Sequence, residues 1–146
     1  MRRELGGGFE LDDDRERIDV REVRRFLAEE SYWAVGRDLP TQELLVREAA
    51  RVVGLYHDGR QIGFCRAARC SPGLFYLADV YVLADYRGCG FGTELVREML
   101  ETGPYAGAKW LLHTEDAHEV YRRFGFGAPG RKVMERPAAQ SEPQPG

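Results

Sequence analysis

The sequence contains no long apolar run. Apolar residues nowhere extend to the roughly 18 that a membrane-spanning helix needs. The first residues, MRRELGGGFELDDD, have no apolar core of the kind found in secretory signal peptides. We therefore expect no membrane association, and the predicted location is the cytoplasm.

Cysteine is scarce, and there is no excess of basic residues. Cys65, Cys70 and Cys89 are an odd number of cysteines without C-x-x-C spacing, which predicts neither a disulfide framework nor a zinc site. The net charge is -3, whereas binding to nucleic acid needs a concentrated basic surface. We therefore expect no metal and no nucleic-acid partner.

The residues that are present fit one globular domain. The chain has 146 residues, of which 43% are hydrophobic and 31% charged, enough for one sizeable core but not for two. We predict a domain at residues 9–136 and a flexible N-terminus at residues 1–8, where three glycines follow one another. Residues 137–146, PAAQSEPQPG, are rich in proline and polar residues and are predicted to form a disordered tail.

Changes in hydrophobic periodicity predict the elements of this domain. Helices are expected over residues 19–30, just after Thr41, directly behind the glycines near residue 90, and over residues 117–124. Strands are expected on both sides of the turn pair Asp58 and Gly59, over residues 74–83 with both faces buried, over residues 109–113, and as a closing pair broken at Pro129 and Gly130. The order predicts an α/β (α+β) fold, a mixed sheet with helices on both faces.

Residues 85–93, DYRGCGFGT, place three glycines at alternate positions behind Arg87. A phosphate-binding P-loop is excluded, because Phe91, Gly92 and Thr93 stand where it requires Gly-Lys and a hydroxyl residue. A dinucleotide fingerprint is disfavoured, because it has the spacing G-x-G-x-x-G near the start of a Rossmann unit, whereas the spacing here is G-x-G-x-G in the middle of the chain. The unpaired N–H groups of a helix N-terminus, next to an arginine, suit a pyrophosphate. A tight turn that uses glycine only for packing is the alternative, and the glycines alone leave both interpretations open.

Two motifs resemble those of the GNAT superfamily of N-acetyltransferases. RGCGFG at residues 87–92 is similar to the signature R/Q-x-x-G-x-G/A, and YRRFGF at residues 121–126 is similar to the family's Y-x-x-x-G-F. The stretches SYWAVGR and LLHTEDAHEVY resemble a subgroup of small single-domain members mostly described without a substrate. The resemblance covers roughly residues 9–136. It implies a mixed, mostly antiparallel central sheet and acetyl-CoA as the acetyl donor.

The resemblance also implies which residues bind the donor. The backbone of Val80, Tyr81 and Val82 would pair with the pantetheine arm as an added strand. The pyrophosphate would lie against Arg87, Gly88, Cys89, Gly90, Phe91, Gly92 and Thr93. Thr114 stands where many members carry an asparagine near the pantetheine, and its hydroxyl can also form a hydrogen bond.

The resemblance implies that Tyr121 is the general acid that protonates the departing CoA thiolate. A phenol with a pKa of about 10 keeps its proton at neutral pH. It can donate that proton to a thiolate whose conjugate acid has a pKa of about 8.5. The alternative is a core tyrosine on a helix face. Cys89 lies in the pyrophosphate turn, a poor position for a nucleophile, so no covalent intermediate is expected.

Acetyl transfer to an amine also needs a proton acceptor. Asp79 interrupts an apolar strand beside the expected pantetheine contacts, and burial is expected to raise its pKa towards the useful range. The alternative is a carboxylate satisfied by an arginine or by backbone N–H groups. His113 and Glu115 are secondary candidates for the base.

The connection between the first two helices, SYWAVGRDLP, is expected to line the acceptor site. Tyr32, Trp33 and Arg37 suit a substrate with an apolar part and a carboxylate. The alternative, equally open, is that Trp33 is a core residue and Arg37 a helix cap. The predicted activity is direct transfer of acetyl from acetyl-CoA to a primary amine of a small molecule or peptide. A silent acyl-CoA-binding module acting through protein contacts is the alternative, and homodimer formation stays open.

Overall fold

A six-stranded sheet forms the centre of the fold. The computed structural model describes residues 1–139. Within them the strands lie side by side in chain order, and every neighbouring pair is antiparallel except the last. The strands are β1 (Arg2–Gly6), β2 (Phe9–Asp12), β3 (Arg51–His57), β4 (Arg60–Ser71), β5 (Leu74–Val82) and β6 (Lys109–Leu111). The helices are α1 (Val20–Glu30), α2 (Leu39–Glu48), α3 (Phe91–Glu101) and α4 (His118–Arg122).

The chain forms two compact units. The first, Met1–Leu112, contains the whole sheet and the helices α1 to α3. The second begins at His113 and contains α4. None of the helices in residues 1–139 combines the length and the apolar character that crossing a bilayer requires.

Aspartate side chains set the starts of α1 and α2. Asp19 accepts a hydrogen bond from the backbone N–H of Glu22 at 3.1 Å, and Asp38 accepts one from that of Thr41 at 2.9 Å. Such N-caps satisfy amides that have no partner inside the helix. The helix α2 therefore starts at Leu39, earlier than the predicted start just after Thr41, because Asp38 is its cap.

The N-terminus is part of the sheet, contrary to the predicted flexible segment at residues 1–8. β1 pairs with β2, and Gly6, Gly7 and Gly8, with φ values of 86°, 62° and 83°, form the turn between them. A run of glycines suits a flexible linker and a left-handed turn equally well, because glycine lacks the Cβ that penalises positive φ. Pairing with β2 decides between the two.

The strand β5 is buried on one face and half-buried on the other, whereas the sequence predicted burial on both. Phe75, Leu77, Asp79 and Tyr81 are buried, and the residues that alternate with them, Tyr76, Ala78 and Val80, retain part of their exposure. The neighbouring β6 is only three residues long, so β5 lies close to the sheet edge and has fewer neighbours to cover it. At Asp79 the strand bulges, with φ of 56°.

In the first unit, α3 lies on one face of the sheet, and the connection between α1 and α2 lies on the other. Side chains of consecutive strand residues point to opposite faces. Arg66 contacts the connection between α1 and α2, while its neighbour Ala67 lies opposite Arg51, whose Nη1 donates to the carbonyl of Glu98 in α3 at 2.8 Å. The predicted mixed, mostly antiparallel sheet with helices on both faces is confirmed.

The predicted closing strand pair is wrong. In the described residues beyond His113, no strand follows α4. The backbone instead makes local turn bonds, such as Phe126 N to Tyr121 O at 3.2 Å and Val133 N to Gly130 O at 3.2 Å. Gly125, at φ of 88°, and the proline and glycines after it favour turns over an extended ladder. Most of the predicted C-terminal tail, residues 140–146, lies outside the described residues.

Candidate active site

The glycine turn at residues 87–93 leads from the end of β5 into the first turn of α3. It is called the donor turn below, because the family resemblance predicts that it binds the acetyl donor. Gly88 and Gly90 have φ of 81° and 84°, a conformation that side-chain-bearing residues rarely adopt. A Cβ added at either position would meet no heavy atom within 4 Å. Backbone conformation therefore requires glycine at these two positions, and packing does not.

Nothing within residues 1–139 requires position 92 to be glycine. It lies in the first turn of α3 with negative φ, and an added Cβ would approach only Cγ2 of Val82, at an ordinary 3.8 Å. Glycine in a helix costs about 1 kcal/mol relative to alanine. Neither conformation nor packing within the described residues offsets this cost.

The donor turn presents exposed hydrogen-bond donors. The first backbone amides of α3 have no acceptor inside the helix, and in the described chain no side chain caps them. Residues 87–90 are exposed, and the Arg87 Nε donates to the carbonyl of Val82 at 3.0 Å, which ties the turn to the end of β5. A helix N-terminus beside an arginine is suited to an anion.

Three aromatic residues that the sequence did not single out support this turn. The ring of Phe9 stacks against His57, with centroids 4.0 Å apart, and against Phe91, the first residue of α3, at 4.1 Å. The Nδ1 of His57 lies 3.1 Å from the hydroxyl of Tyr86. Tyr86 adjoins the motif, but Phe9 and His57 are brought to it only by the sheet.

The C-terminal part of β5, beyond Tyr76, has one edge that pairs with no other strand of the described chain. β6 pairs with β5 only from Leu74 to Tyr76, while the other edge of β5 pairs with β4 as far as Val82. Within residues 1–139 no strand continues the β6 side past Tyr76. The predicted pantetheine contacts, Val80, Tyr81 and Val82, therefore lie where an extended ligand can add as a strand.

The Asp79 cluster consists of Trp33, Arg37, Gln42, Arg66 and Asp79. The side chain of Asp79 is 1% exposed. Its Oδ2 accepts from Nε of Arg66 at 2.6 Å and from Nη1 of Arg37 at 2.8 Å, and its Oδ1 accepts from Nε1 of Trp33 at 3.1 Å. The same Arg37 Nη1 donates to Oε1 of Gln42 at 3.1 Å.

The expected rise in the pKa of Asp79 is wrong. Burial opposes ionisation, but the guanidinium groups of Arg66 and Arg37 outweigh it and hold the pKa of Asp79 below the ordinary value of an aspartate. A carboxylate satisfied by arginine, the alternative left open by the sequence, is what the structure contains. Its role as a base stays a prediction.

The residues predicted to line the site of the acetyl acceptor are in contact with Asp79 or with each other. Trp33 and Arg37 both donate to it, and Tyr32 packs edge-to-face on Trp33 with centroids 5.0 Å apart. Arg37 is not the helix cap, because Asp38 holds that position. The sequence missed Arg66 and Gln42, which carry no local signal of a site.

The second unit contains the other predicted residues. The ring of Tyr121 packs edge-to-face on Phe126 at 5.8 Å between centroids. The hydroxyl of Thr114 accepts from the backbone N–H of Ala117 at 3.1 Å, just ahead of α4. The exposed His113 lies 3.5 Å from a carboxylate oxygen of Glu135. Within residues 1–139 no group of three His, Cys, Asp or Glu side chains is placed to hold a metal.

Comparisons with known proteins agree with this geometry. The family model described as Acetyltransferase (GNAT) family matches residues 15–126. A structure from Xanthomonas campestris pv. campestris, assigned to the GNAT family, is 29% identical, with a TM-score of 0.81 over 89% of this chain and 93% of that chain. No curated protein matches the chain.

Two structures of more distant proteins contain the cofactor. A GNAT acetyltransferase from Brucella melitensis in complex with acetyl-CoA is 24% identical, with a TM-score of 0.64 over 84% of this chain and 85% of that chain. An aminoglycoside N-acetyltransferase in complex with CoA is 17% identical, with a TM-score of 0.67 over 92% of this chain and 97% of that chain. These two likenesses show the fold. Because the family model covers more than half of the sequence, the chain belongs to the GNAT family of acetyltransferases.

Proposed function

We propose that the protein transfers the acetyl group of acetyl-CoA directly to a primary amine of a small molecule or peptide, with both substrates bound together. The part of this proposal that concerns acetyl-CoA rests on the structure of the donor turn. The backbone amides at its helix N-terminus have no side-chain cap, and neither conformation nor packing within residues 1–139 requires glycine at position 92. A pyrophosphate that approaches the backbone closely supplies a reason for this glycine.

The proposed donor site runs from the open edge of β5 into this turn. The pantetheine arm pairs with the backbone of Val80 to Val82, and the pyrophosphate lies against residues 87–93, where positive φ at Gly88 and Gly90 shapes the backbone. The charge of Arg87 and the N-terminus of α3 both favour the phosphates. Thr114 keeps its proposed role as a hydrogen-bonding group for the pantetheine, because its hydroxyl proton stays available when its oxygen accepts from Ala117.

The chemistry needs no covalent enzyme intermediate. The neutral amine attacks the thioester carbonyl, the C–N bond forms, the nitrogen releases its surplus proton to water, and the C–S bond breaks. In this proposal Tyr121 gives its phenolic proton to the departing thiolate and regains one from solvent. The role of Tyr121 rests on the similarity of YRRFGF to the family motif.

The role of Asp79 follows from its partners. A carboxylate whose pKa is held low accepts a proton poorly at neutral pH. We propose that its main task is to orient Arg37, Arg66 and Trp33, which all donate to it. If Asp79 is instead the base, Asp79→Asn abolishes the rise of kcat with pH; an orienting role leaves the shape of that profile unchanged.

Steady-state rates with acetyl-CoA across a panel of primary amines test the proposed function, with calorimetric titration of CoA in parallel. We expect turnover of at least one amine. Replacement of Tyr121 by phenylalanine should lower kcat by about a hundredfold, the usual scale of a lost general acid, and leave CoA affinity unchanged. Longer acyl-CoA donors in the same assay measure the acyl preference.

Three results would contradict parts of the proposal. Tight CoA binding without turnover of any amine supports the silent module that binds acyl-CoA. Unchanged kcat in Tyr121→Phe removes the tyrosine from the mechanism. CoA that binds equally well when the donor turn is altered at Gly92 places the cofactor elsewhere.

A further inference from the structure

The Asp79 cluster contains more positive than negative charge. Two guanidinium groups, Arg37 and Arg66, face one carboxylate, and the remaining members, Trp33 and Gln42, are neutral. Both arginine side chains are largely covered, with 17% and 12% of their surface exposed. A net positive charge in such a place is costly unless a further anion balances it.

The two arginines also have hydrogen-bond donors to spare. Arg66 uses Nε on Asp79, and its Nη1 and Nη2 donate to no other described residue. Arg37 uses Nη1, while its Nε and Nη2 have no acceptor in residues 1–139. These unbonded nitrogens still touch solvent, because none is among the fully buried polar atoms without a partner. Each arginine thus offers one free guanidinium edge, the geometry that binds a carboxylate through two parallel bonds.

Gln42 adds a third unmatched donor. It is completely buried, and its Oε1 accepts from Arg37, which orients the amide. Its Nε2 is the buried side-chain nitrogen or oxygen that lacks a partner in the described part of the chain. Such a donor costs stability unless an acceptor or a bridging water satisfies it. All the unmatched groups of the cluster are donors, so the missing group is an acceptor.

The segment that carries Trp33 and Arg37 is held in place before any ligand binds. Ser31 Oγ accepts from the backbone N–H of Ala34 at 3.1 Å, and Nε of Arg24 donates to the carbonyl of Arg37 at 3.2 Å. Fixed donors lose little entropy on binding, which favours affinity. Because Asp79 directly precedes Val80, the cluster also adjoins the proposed pantetheine strand.

We infer that the acceptor is an amine that also carries a carboxylate, and that Arg37 and Arg66 bind this carboxylate while Asp79 holds both guanidinium groups in place. The inference rests on the proposed function and extends it from amines in general to amino acids and related amino-carboxylates. Arg66 thereby becomes a specificity-determining residue. Trp33 and Tyr32 border the same site and suit an apolar part of the acceptor.

The test compares matched pairs of amines that differ only in carboxylate or carboxamide, such as phenylalanine and phenylalaninamide. Rates with acetyl-CoA give kcat/KM for each member, and calorimetry of each member with CoA-saturated protein gives its affinity without turnover. We expect a preference of about tenfold to a hundredfold for the carboxylate in both measurements, the scale of a charged hydrogen-bonded contact.

Substitutions then locate the preference. Arg66→Gln and Arg37→Gln should each reduce the carboxylate preference towards one, chiefly through KM and acceptor affinity, and leave the affinity for CoA unchanged. Arg66→Lys keeps the charge without the paired N–H edge, so it should restore the preference only in part. Arg69→Gln, on the same strand but outside the cluster, is the matched control and should keep the full preference.

The outcomes separate the two proposals. Amine turnover without a carboxylate preference overturns this inference and leaves the acetyltransferase proposal intact. CoA binding without turnover overturns the proposed function, and the calorimetric comparison then still decides whether the cluster binds carboxylates. An equal loss with both members of each pair in the arginine variants shows that the arginines only stabilise the fold, and it overturns the inference.

Discussion

The donor turn leaves its hydrogen-bond donors exposed and uncapped, whereas the Asp79 cluster buries a carboxylate and matches it with donors from three side chains. The donor turn depends on backbone conformation within seven consecutive residues, 87–93. The cluster depends on side chains from the connection between α1 and α2, from α2 itself, and from two strands. The first is a local structure that is open to a ligand; the second is a tertiary structure whose own carboxylate is already satisfied.

The largest effect should follow removal of the buried charge. In Asp79→Asn the two guanidinium groups lose their counter-charge, and we expect the free energy of unfolding to fall by about 3 kcal/mol in a urea titration. Asparagine tolerates the φ of 56° at this position, so the variant isolates the charge. Asp79→Ala adds backbone strain and should be about 1 kcal/mol worse. A loss below about 0.5 kcal/mol, the usual scale of a neutral surface change, would show that the cluster does not stabilise the fold.

Substitution of Gly92 in the donor turn should change the affinity for acetyl-CoA far more than the free energy of unfolding. We expect Gly92→Val to weaken acetyl-CoA binding by about tenfold or more in calorimetry, because its side chain would stand between the backbone amide and a phosphate. The free energy of unfolding should stay unchanged or rise slightly, since valine is a better helix residue than glycine. Gly92→Ala should have a smaller effect on binding, because the family signature admits alanine there. Unaltered affinity in the valine variant would leave Gly92 unexplained.

Two glycines of this turn should respond to alanine with opposite signs. Gly90→Ala places a side chain at φ of 84° and should lower the free energy of unfolding by about 1 kcal/mol. Gly92→Ala, in the first turn of the helix, should raise it by about 0.5 kcal/mol or more. Chemical denaturation of both variants measures the difference. Equal destabilisation would mean that packing, not conformation, selects glycine.

The smallest effect concerns pH. The pKa of Asp79 is lowered in the folded protein, so its carboxylate contributes stability fully above its unfolded pKa of about 3.9, and the contribution is lost as pH falls through the lower folded value. The difference in unfolding free energy between the wild type and Asp79→Asn should therefore stay constant from about pH 8 to about pH 5 and shrink only below about pH 4. A difference that changes near neutral pH would indicate a raised pKa and favour Asp79 as the base.

The sequence predicted the donor turn because each of its properties is local. The buried strand, the alternate glycines and the helix behind them are consecutive, and the structure places α3 directly after Gly90. The Asp79 cluster was only partly predictable. Its partners Trp33, Arg37 and Arg66 lie 46, 42 and 13 residues from Asp79 along the chain. The expected rise in the pKa of Asp79 took only burial into account, because the sequence does not show which guanidinium groups lie beside its carboxylate.

Errors elsewhere have the same origin. The three glycines at residues 6–8 fit a linker or a hairpin turn, and pairing of β1 with β2 selected the turn. A closing strand pair was predicted after α4, yet Gly125 and Pro129 favour turns, and local backbone hydrogen bonds form there. Strand formation depends on a neighbouring strand to pair with, and a single sequence does not show which segment that is.

The sequence by itself determined one local structure, consisting of a strand, a glycine turn and a helix N-terminus, together with the motifs of an acetyltransferase family. These are properties of neighbouring residues, whose backbone angles and unpaired amides follow from their own chemistry. Only the tertiary structure decided the state of Asp79 and the surplus of donors around it. The charge of a buried group depends on which opposite charges the fold brings within a few ångströms, and those lie far away along the chain.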